Sequence, residues 1–372
     1  MMPFPALQLP GNYAMLIHTD RKGRQFCMEL LYFLEKLRSP VLDRLCILLS
    51  MLGEETVFLT VGLILLWCVD KQWGYRYMMC GFFSSGLSRL LKGTLQVPRP
   101  FTADPSFSFV SAAEDGAPGY SLPSGHSMTA ATVFGIPLCM AKRWWFRALC
   151  VLAIAGVAFA RMELGVHTLT DCIAGIGLGF GVILILNAVY DRIHGDLNRL
   201  ALLTLLMMAG MAAVIALLTF APHSAHYVDY AQESCIKKTW VALGCMAGVS
   251  VSYLIDRLYT HYDTRAVWWV QVIKVAAGVG LLLAVQAGIN AVVSRLAGQA
   301  LYKAGLTYFL TIAIVGSCYP MSFRWLAASG AALRQHRTIH GLRLTHRSDE
   351  RCAPSASQKC SIIHKVLSAL FA

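Results

Sequence analysis

Residues 200–220, LALLTLLMMAGMAAVIALLTF, run for a bilayer's thickness without one charged side chain. A hydrocarbon core about 30 Å thick calls for a helix of ~20 apolar residues. Lipid offers the backbone no hydrogen-bond partner, so each such segment must bond within itself. Several stretches of this kind predict an all-α, polytopic membrane bundle. Spans are expected at 56–69, 75–91, 126–141, 145–160, 171–190 and 199–221, and three more at 239–256, 267–294 and 301–320. Of 372 residues, 56% are hydrophobic and 14% charged, against about 25% charged in soluble domains. Gly and Ser recur within the spans, as in GIGLGFG at 175–181, and small residues let helices approach closely in lipid.

The chain divides into four regions. Residues 1–55 are an N-terminal segment, in which 25–53 mix apolar and charged positions at helical spacing. They read as interfacial or re-entrant amphipathic helices, with a true first span as the alternative. Residues 56–198 form a transmembrane core and 199–322 add further transmembrane helices. Residues 323–372 are a basic, mobile tail whose end, IIHKVLSALFA, suits a membrane surface. Within the later spans, Gln271, Lys274, Gln286 and Asn290 read as interhelical hydrogen-bond partners, or more sharply as a lateral gate or headgroup pathway.

The net charge of +12 is unevenly placed. By span count, the polar loops 92–124 and 161–170 share one membrane face. The opposite face carries Lys71, Arg76, Lys142, Arg143, Arg147, Arg192, Arg199, Arg257, Arg265 and the tail. The positive-inside bias puts the two loops outside the cytoplasm, although Arg21, Lys22, Arg24, Lys36, Arg38 and Arg44 run against it. The basic residues do not interleave with aromatics and no nucleic-acid motif occurs, so no nucleic-acid partner is expected. The twelve cysteines are scattered without a Cys-x-x-Cys pair. They read as small packing residues, neither zinc ligands nor a disulfide framework. The first thirty residues lack the apolar core of a cleavable signal peptide.

Three polar clusters sit at span edges. Lys92 and Arg99 come first, the arginine stiffened by Pro98 and Pro100. Alone, both read as snorkelling cations. Next are Ser124, Gly125 and His126. Ser124 is a plausible N-cap and Gly125 admits a ligand to the backbone. A helix start can hold an anion, and His126 can give or take a proton near neutral pH. Third are Arg161, His167 and Asp171. His167 and Asp171 are four apart, on one helix face. Asp171 can accept from Nδ1–H and leave Nε2 nucleophilic, or it can merely favour the helix dipole.

Three cations, two histidines and one aspartate then share one face. Charges near a bilayer mark function by default. Phosphoryl transfer needs this balance, since catalysis there is mostly positioning and electrostatics. Lys92, Arg99, Arg161 and the N–H groups of Ser124 and Gly125 would hold the phosphate. His167 would attack and His126 would protonate the leaving oxygen. A zinc site on His126, His167 and Asp171 is the rival, but converging cations would repel a dication, so no metal or cofactor is expected.

Lys92, six residues, Arg99-Pro100; Pro123-Ser124-Gly125-His126; and Arg161, five residues, His167, three residues, Asp171 together resemble the signature of the type 2 phosphatidic acid phosphatase superfamily. The likeness covers roughly residues 40–190. It implies a phosphatidic acid phosphatase/haloperoxidase-type core, here with three or four extra C-terminal helices. It also implies metal-independent hydrolysis through a phosphohistidine on His167, oriented by Asp171, with His126 as acid and later base. Ala160 departs from the family's usual serine before the arginine, which removes a hydroxyl donor. The resulting expectation is a bacterial plasma-membrane phosphatase acting on a lipid phosphate or diphosphate at the extracytoplasmic face. A lipid phosphotransferase, or a non-catalytic transporter or scramblase, is the alternative.

Overall fold

The computed structural model describes residues 21–113, 119–193, 195–220, 229–298 and 300–323. Residues 1–20 and the basic tail from 324, with its IIHKVLSALFA end, lie outside the described residues.

Among the described residues, eleven helices of eight or more residues carry the fold: α1 (Arg21–Leu37), α2 (Pro40–Met51), α3 (Glu55–Ile64), α4 (Lys71–Leu95), α5 (Gly125–Met140), α6 (Trp144–Glu163), α7 (Leu169–Ile193), α8 (Leu197–Phe220), α9 (Asp229–Ile255), α10 (Trp268–Ala297) and α11 (Lys303–Cys318). A π turn, Leu65–Val69, extends α3, and another, Asp256–Thr260, extends α9. No strand occurs among the described residues. Each expected span falls on one of the helices α3 to α11.

Among the described residues, six helices are long and apolar enough to cross a membrane: α6, α7, α8, α9, α10 and α11. The bent pair α2–α3, with a 46° bend, would add a seventh if it counts as one span. Helix α4 fails that test because Lys71, Arg76, Arg89 and Lys92 lie along it. It does not need an apolar outer surface, because α3, α5, α7, α8 and α9 all pack on it. Protein, not lipid, surrounds it, and interior polar groups are tolerated on those terms. Asp70 starts this helix by accepting from the Gln72 and Trp73 N–H groups at 2.8 and 3.0 Å.

Glycines set how closely the core helices approach. A Cβ on Gly175 would lie 2.5 Å from the Ser124 carbonyl oxygen, and one on Gly179 would lie 3.0 Å from that of Met128. These two residues, four apart, bring α7 onto α5. In the same run, Gly177 and Gly181 face open space. Helices α9 and α11 meet through Gly244 and Gly305, whose Cβ positions would strike backbone at 2.0 and 2.4 Å.

At the N-terminus, Ser39 caps α2 by accepting from the Leu42 N–H at 3.3 Å, with Pro40 opening the helix. Side chains just before α2 and near its end bond to the last turn of α6. Arg38 Nε donates to the Glu163 carbonyl at 2.8 Å, and Ser50 Oγ accepts from Arg161 Nη1 at 2.9 Å. Helix α1 fastens the loop after α4, where Tyr32 donates to Asp104 at 2.7 Å and Arg38 Nη1 donates to the Ser108 carbonyl at 2.9 Å.

The polar residues of α10 divide into two pairs. Gln271 donates to the carbonyls of Cys68 and Thr264 at 3.3 and 2.7 Å, and Lys274 to those of Asp263 and Thr264, both at 3.4 Å. Of these, the Gln271–Cys68 bond ties the extension to the core at the far end of α3. Gln286 is half-buried and Asn290 exposed.

Candidate active site

The C-terminal ends of α4 and α6 meet the N-terminal ends of α5 and α7 at one end of the bundle. Lys92, in the last turns of α4, donates to the carbonyls of Tyr120 and Ser121 at 2.6 and 3.1 Å. It therefore holds the strand of chain that leads into Pro123-Ser124-Gly125-His126. Arg99 Nε donates to the Gly119 carbonyl at 2.9 Å and Nη1 to the Val166 carbonyl at 2.8 Å. One guanidinium thus joins the loops before α5 and before α7.

That same Nη1 lies 3.2 Å from His167 Nε2. A guanidinium only donates, so Nε2 is the acceptor and carries a lone pair. In the neutral ring the proton then sits on Nδ1. His167 is buried, in the loop before α7. Burial, then the neighbouring charges of Arg99, Lys92 and Arg161, hold its pKa well below the usual imidazole range. The ring is therefore neutral and unprotonated at Nε2 near neutral pH.

Asp171 lies 3.6 Å from His167 Nδ1, beyond a hydrogen bond. The direct bond expected from their spacing is replaced by a bridge. Ser121 Oγ sits 3.3 Å from Nδ1 and donates to Asp171 Oδ2 at 2.7 Å. The carboxylate also accepts from the Thr168 N–H at 2.8 Å, so it closes the first turn of α7 as well. Asp171 thus has the helix-start role, while direct acceptance from His167 Nδ1–H is not made. Ser121 carries no mark in the sequence beyond standing near the Pro-Ser-Gly-His turn.

Ser124 caps α5: its Oγ accepts from the Ser127 N–H at 3.4 Å and from Ser127 Oγ at 3.0 Å. Its own N–H donates to the Asp171 carbonyl at 2.9 Å. That donor is committed to holding α7 and is not free for an anion. At Gly125, a Cβ would meet nothing within 4 Å, so the helix start is open at the residue where a ligand would approach. Lys92, Arg99, Gly125, His126 and His167 line one cavity of about 450 Å³.

Arg161 does not line that cavity. It is buried, with Nη1 on Ser50 and with Nε and Nη2 unpaired. Ala160 packs in an apolar cluster with Cys46, Leu164 and Val166, away from the cavity. The hydroxyl that reaches the motif arginine comes instead from Ser50 of α2, which nothing in the local motif announces. Among the described residues, no group of three or more His, Cys, Asp or Glu is placed to hold a metal ion.

Residues 73–194 match the model of the PAP2 superfamily, and residues 240–331 match that of the PAP2 superfamily phosphatase transmembrane extension. The chain belongs to the PAP2 superfamily. The first match spans α4 to α7, whose ends form the candidate site, and the second takes in α10, α11 and most of α9. With six helices among the described residues long and apolar enough to cross a membrane, and with this extension, the PAP2 chain is an integral membrane protein. It is similar to lipid phosphate phosphatase delta of Arabidopsis thaliana, at 24% identity over 242 residues, 61% of this chain and 56% of that protein. It is also similar to an undecaprenyl-diphosphatase of Sulfolobus acidocaldarius, at 27% identity over 156 residues, 41% of this chain and 73% of that protein. The chain thus spans little more than half the length of the plant relative. No solved structure matches it.

Proposed function

We propose that this PAP2 protein hydrolyses the terminal phosphate of a membrane lipid through a phosphohistidine on His167, without a metal. The observation that carries the reading is the Arg99–His167 contact: a neutral, buried imidazole at the wall of a cavity lined by Lys92 and Arg99 keeps Nε2 unprotonated, its lone pair accepting from the Arg99 guanidinium. Those cations, with the open start of α5, suit the equatorial oxygens of a transferring phosphoryl group. They would repel a dication.

The steps balance as follows. Nε2 of His167 forms a bond to phosphorus while the bond from phosphorus to the lipid oxygen breaks. His126, protonated, gives that oxygen its proton. Water then attacks the phosphohistidine, His126 takes the water proton, and the P–N bond breaks to release inorganic phosphate. The relatives named for lipid phosphate and undecaprenyl diphosphate support a lipid substrate. The basic residues at the far end of the core, such as Arg76 paired with Asp191 at 2.6 Å, support an extracytoplasmic site.

The test is phosphate release by the purified chain in detergent with excess chelator, against phosphatidic acid, phosphatidylglycerol phosphate, undecaprenyl diphosphate and sphingosine phosphate. Rapid alkaline quenching, under which a phosphohistidine survives, would separate outcomes further. Wild type should trap an acid-labile phosphoenzyme, His167→Ala none, and His126→Ala one that decays slowly. Near-normal turnover by His167→Ala would sink the mechanism. Transfer of phosphate to an added lipid alcohol instead of water would make the protein a phosphotransferase.

A further inference from the structure

The cavity does not end at the histidines. It continues along α4 from Lys92 past Arg89 and Ser88 to Ser84, and its opposite wall is α9, with Lys238, Val241, Ala242 and Cys245 at helical spacing. The C-terminal extension is therefore part of the site wall.

Three atoms on the α4 side are buried and unpaired: Arg89 Nε, Ser88 Oγ and Ser84 Oγ. Many hydroxyls in these helices return to the carbonyl four residues back, as at Thr132 (3.1 Å), Ser252 (2.8 Å) and Thr311 (2.8 Å), although Ser317 on α11 is also buried and unpaired. Ser84 and Ser88 do not, and a buried donor left without a partner costs about 1–3 kcal/mol. The carboxylate beside Arg89 is Glu55, 3.6 Å from Nη2 and 58% exposed, a geometry that contributes little. Glu54 lines the same cavity. Lys238 is half-buried and makes no ion pair among the described residues. Four cations, Lys92, Arg99, Arg89 and Lys238, thus line the cavity against two carboxylates, Glu54 and Glu55. Charge in that position is expensive unless a ligand meets it.

We propose that Arg89 and Lys238, with Ser88, form a second phosphate subsite, so that the preferred substrate carries a second phosphate between the scissile one and its hydrocarbon. Arg89 precedes Lys92 by three residues, about 4.5 Å along the helix, a step suited to neighbouring phosphates. The inference rests on the phosphatase reading of His167. Two lipids supply this chemistry. One is a diphosphate, in which the second phosphate is the leaving group. The other is a phosphomonoester carried on a phosphodiester-linked glycerolipid. In this arrangement, the extension reads the leaving side of the substrate while the core performs the transfer.

The test compares undecaprenyl diphosphate with undecaprenyl phosphate, and phosphatidylglycerol phosphate with phosphatidic acid, on the full chain in detergent. Lys238→Ala and Arg89→Ala should raise KM for the two-phosphate member of a pair about tenfold or more beyond any change for its one-phosphate partner. Lys238→Arg should restore most of that difference, and retained thermal unfolding would exclude a folding defect. Discrimination in the first pair alone identifies an anhydride substrate, and in the second alone a phosphodiester-linked one. Equal effects on both members of each pair, or none on either, would overturn the subsite while leaving the phosphatase standing. Absence of phosphate release from every lipid by wild type would remove both.

Discussion

The hydroxyl of Ser121 donates to the Asp171 carboxylate at 2.7 Å, and the same oxygen lies 3.3 Å from His167 Nδ1. The aspartate thus reaches the imidazole through a serine. Loss of this bridge leaves a buried ring whose Nδ1–H faces a carboxylate 3.6 Å away. Ser121→Ala should lower kcat about 10- to 100-fold, the worth of one hydrogen bond to a charged network. KM should change little, because Ser121 is a positioning residue whose oxygen faces the imidazole rather than the cavity. Ser121→Thr, which keeps the hydroxyl, should recover part of the rate. A wild-type kcat in Ser121→Ala would remove the bridge from the mechanism.

The pH dependence follows from the same ring. His167 must be unprotonated to attack, and its pKa is depressed by burial first and then by Arg99, Lys92 and Arg161. A lowered pKa means the neutral form survives below about 6.5, the ordinary imidazole value. The acid limb of kcat/KM, which reports the free enzyme, should therefore fall below that value. Arg99→Gln removes one depressing charge and should move the limb upward while weakening phosphate binding. An acid limb at or above the ordinary histidine value in wild type would contradict the neutral, buried nucleophile.

The helices and their order were readable because lipid imposes one rule: about twenty apolar residues per crossing. The rule worked least well where protein replaces lipid. Helix α4 carries four cations and sits at the centre of the bundle, so its role could not come from hydropathy. The charged members of the site stood out because charges are rare in such a chain. Ser121, Ser50 and Ser88 did not, because a serine in a small-residue-rich span has no distinguishing surroundings in one dimension. Lys238 was hidden for another reason: it lies more than 70 residues beyond His126 and His167, on a helix outside the three-part signature. Only packing brings it to the cavity.

The glycine run on α7 offers a paired control. Gly175 and Gly177 have the same local sequence setting, yet only Gly175 faces a carbonyl, with its Cβ position 2.5 Å from Ser124 O. Gly175→Ala should push α7 from α5 and stretch the bond from Ser124 N–H to the Asp171 carbonyl, now 2.9 Å. Overpacking of this kind costs about 1–3 kcal/mol, so the unfolding temperature in detergent and kcat should both fall. Gly177→Ala meets open space and should be neutral or slightly stabilising, since Ala favours helix over Gly by about 1 kcal/mol. Equal behaviour of the two variants would mean that the α5–α7 contact is looser than described.

The third-motif arginine tests where its hydroxyl partner comes from. Ala160 stands beside Arg161 in sequence but packs against Cys46, Leu164 and Val166. Ser50 Oγ, from α2, is the group at 2.9 Å from Nη1. Restoring the family's serine through Ala160→Ser should therefore leave phosphate affinity within about twofold of wild type. That residue meets apolar neighbours, and a hydroxyl placed there loses solvation without gaining Arg161. Ser50→Ala should act on stability instead. It leaves the buried guanidinium without its described hydroxyl partner, which costs about 1–3 kcal/mol, so the unfolding temperature should fall, while phosphate inhibition changes little because Arg161 does not line the cavity. Unfolding temperature and product inhibition by phosphate in the two variants separate these outcomes. Tighter phosphate binding in Ala160→Ser together with unchanged stability in Ser50→Ala would return the role to the position beside Arg161 and take it away from α2.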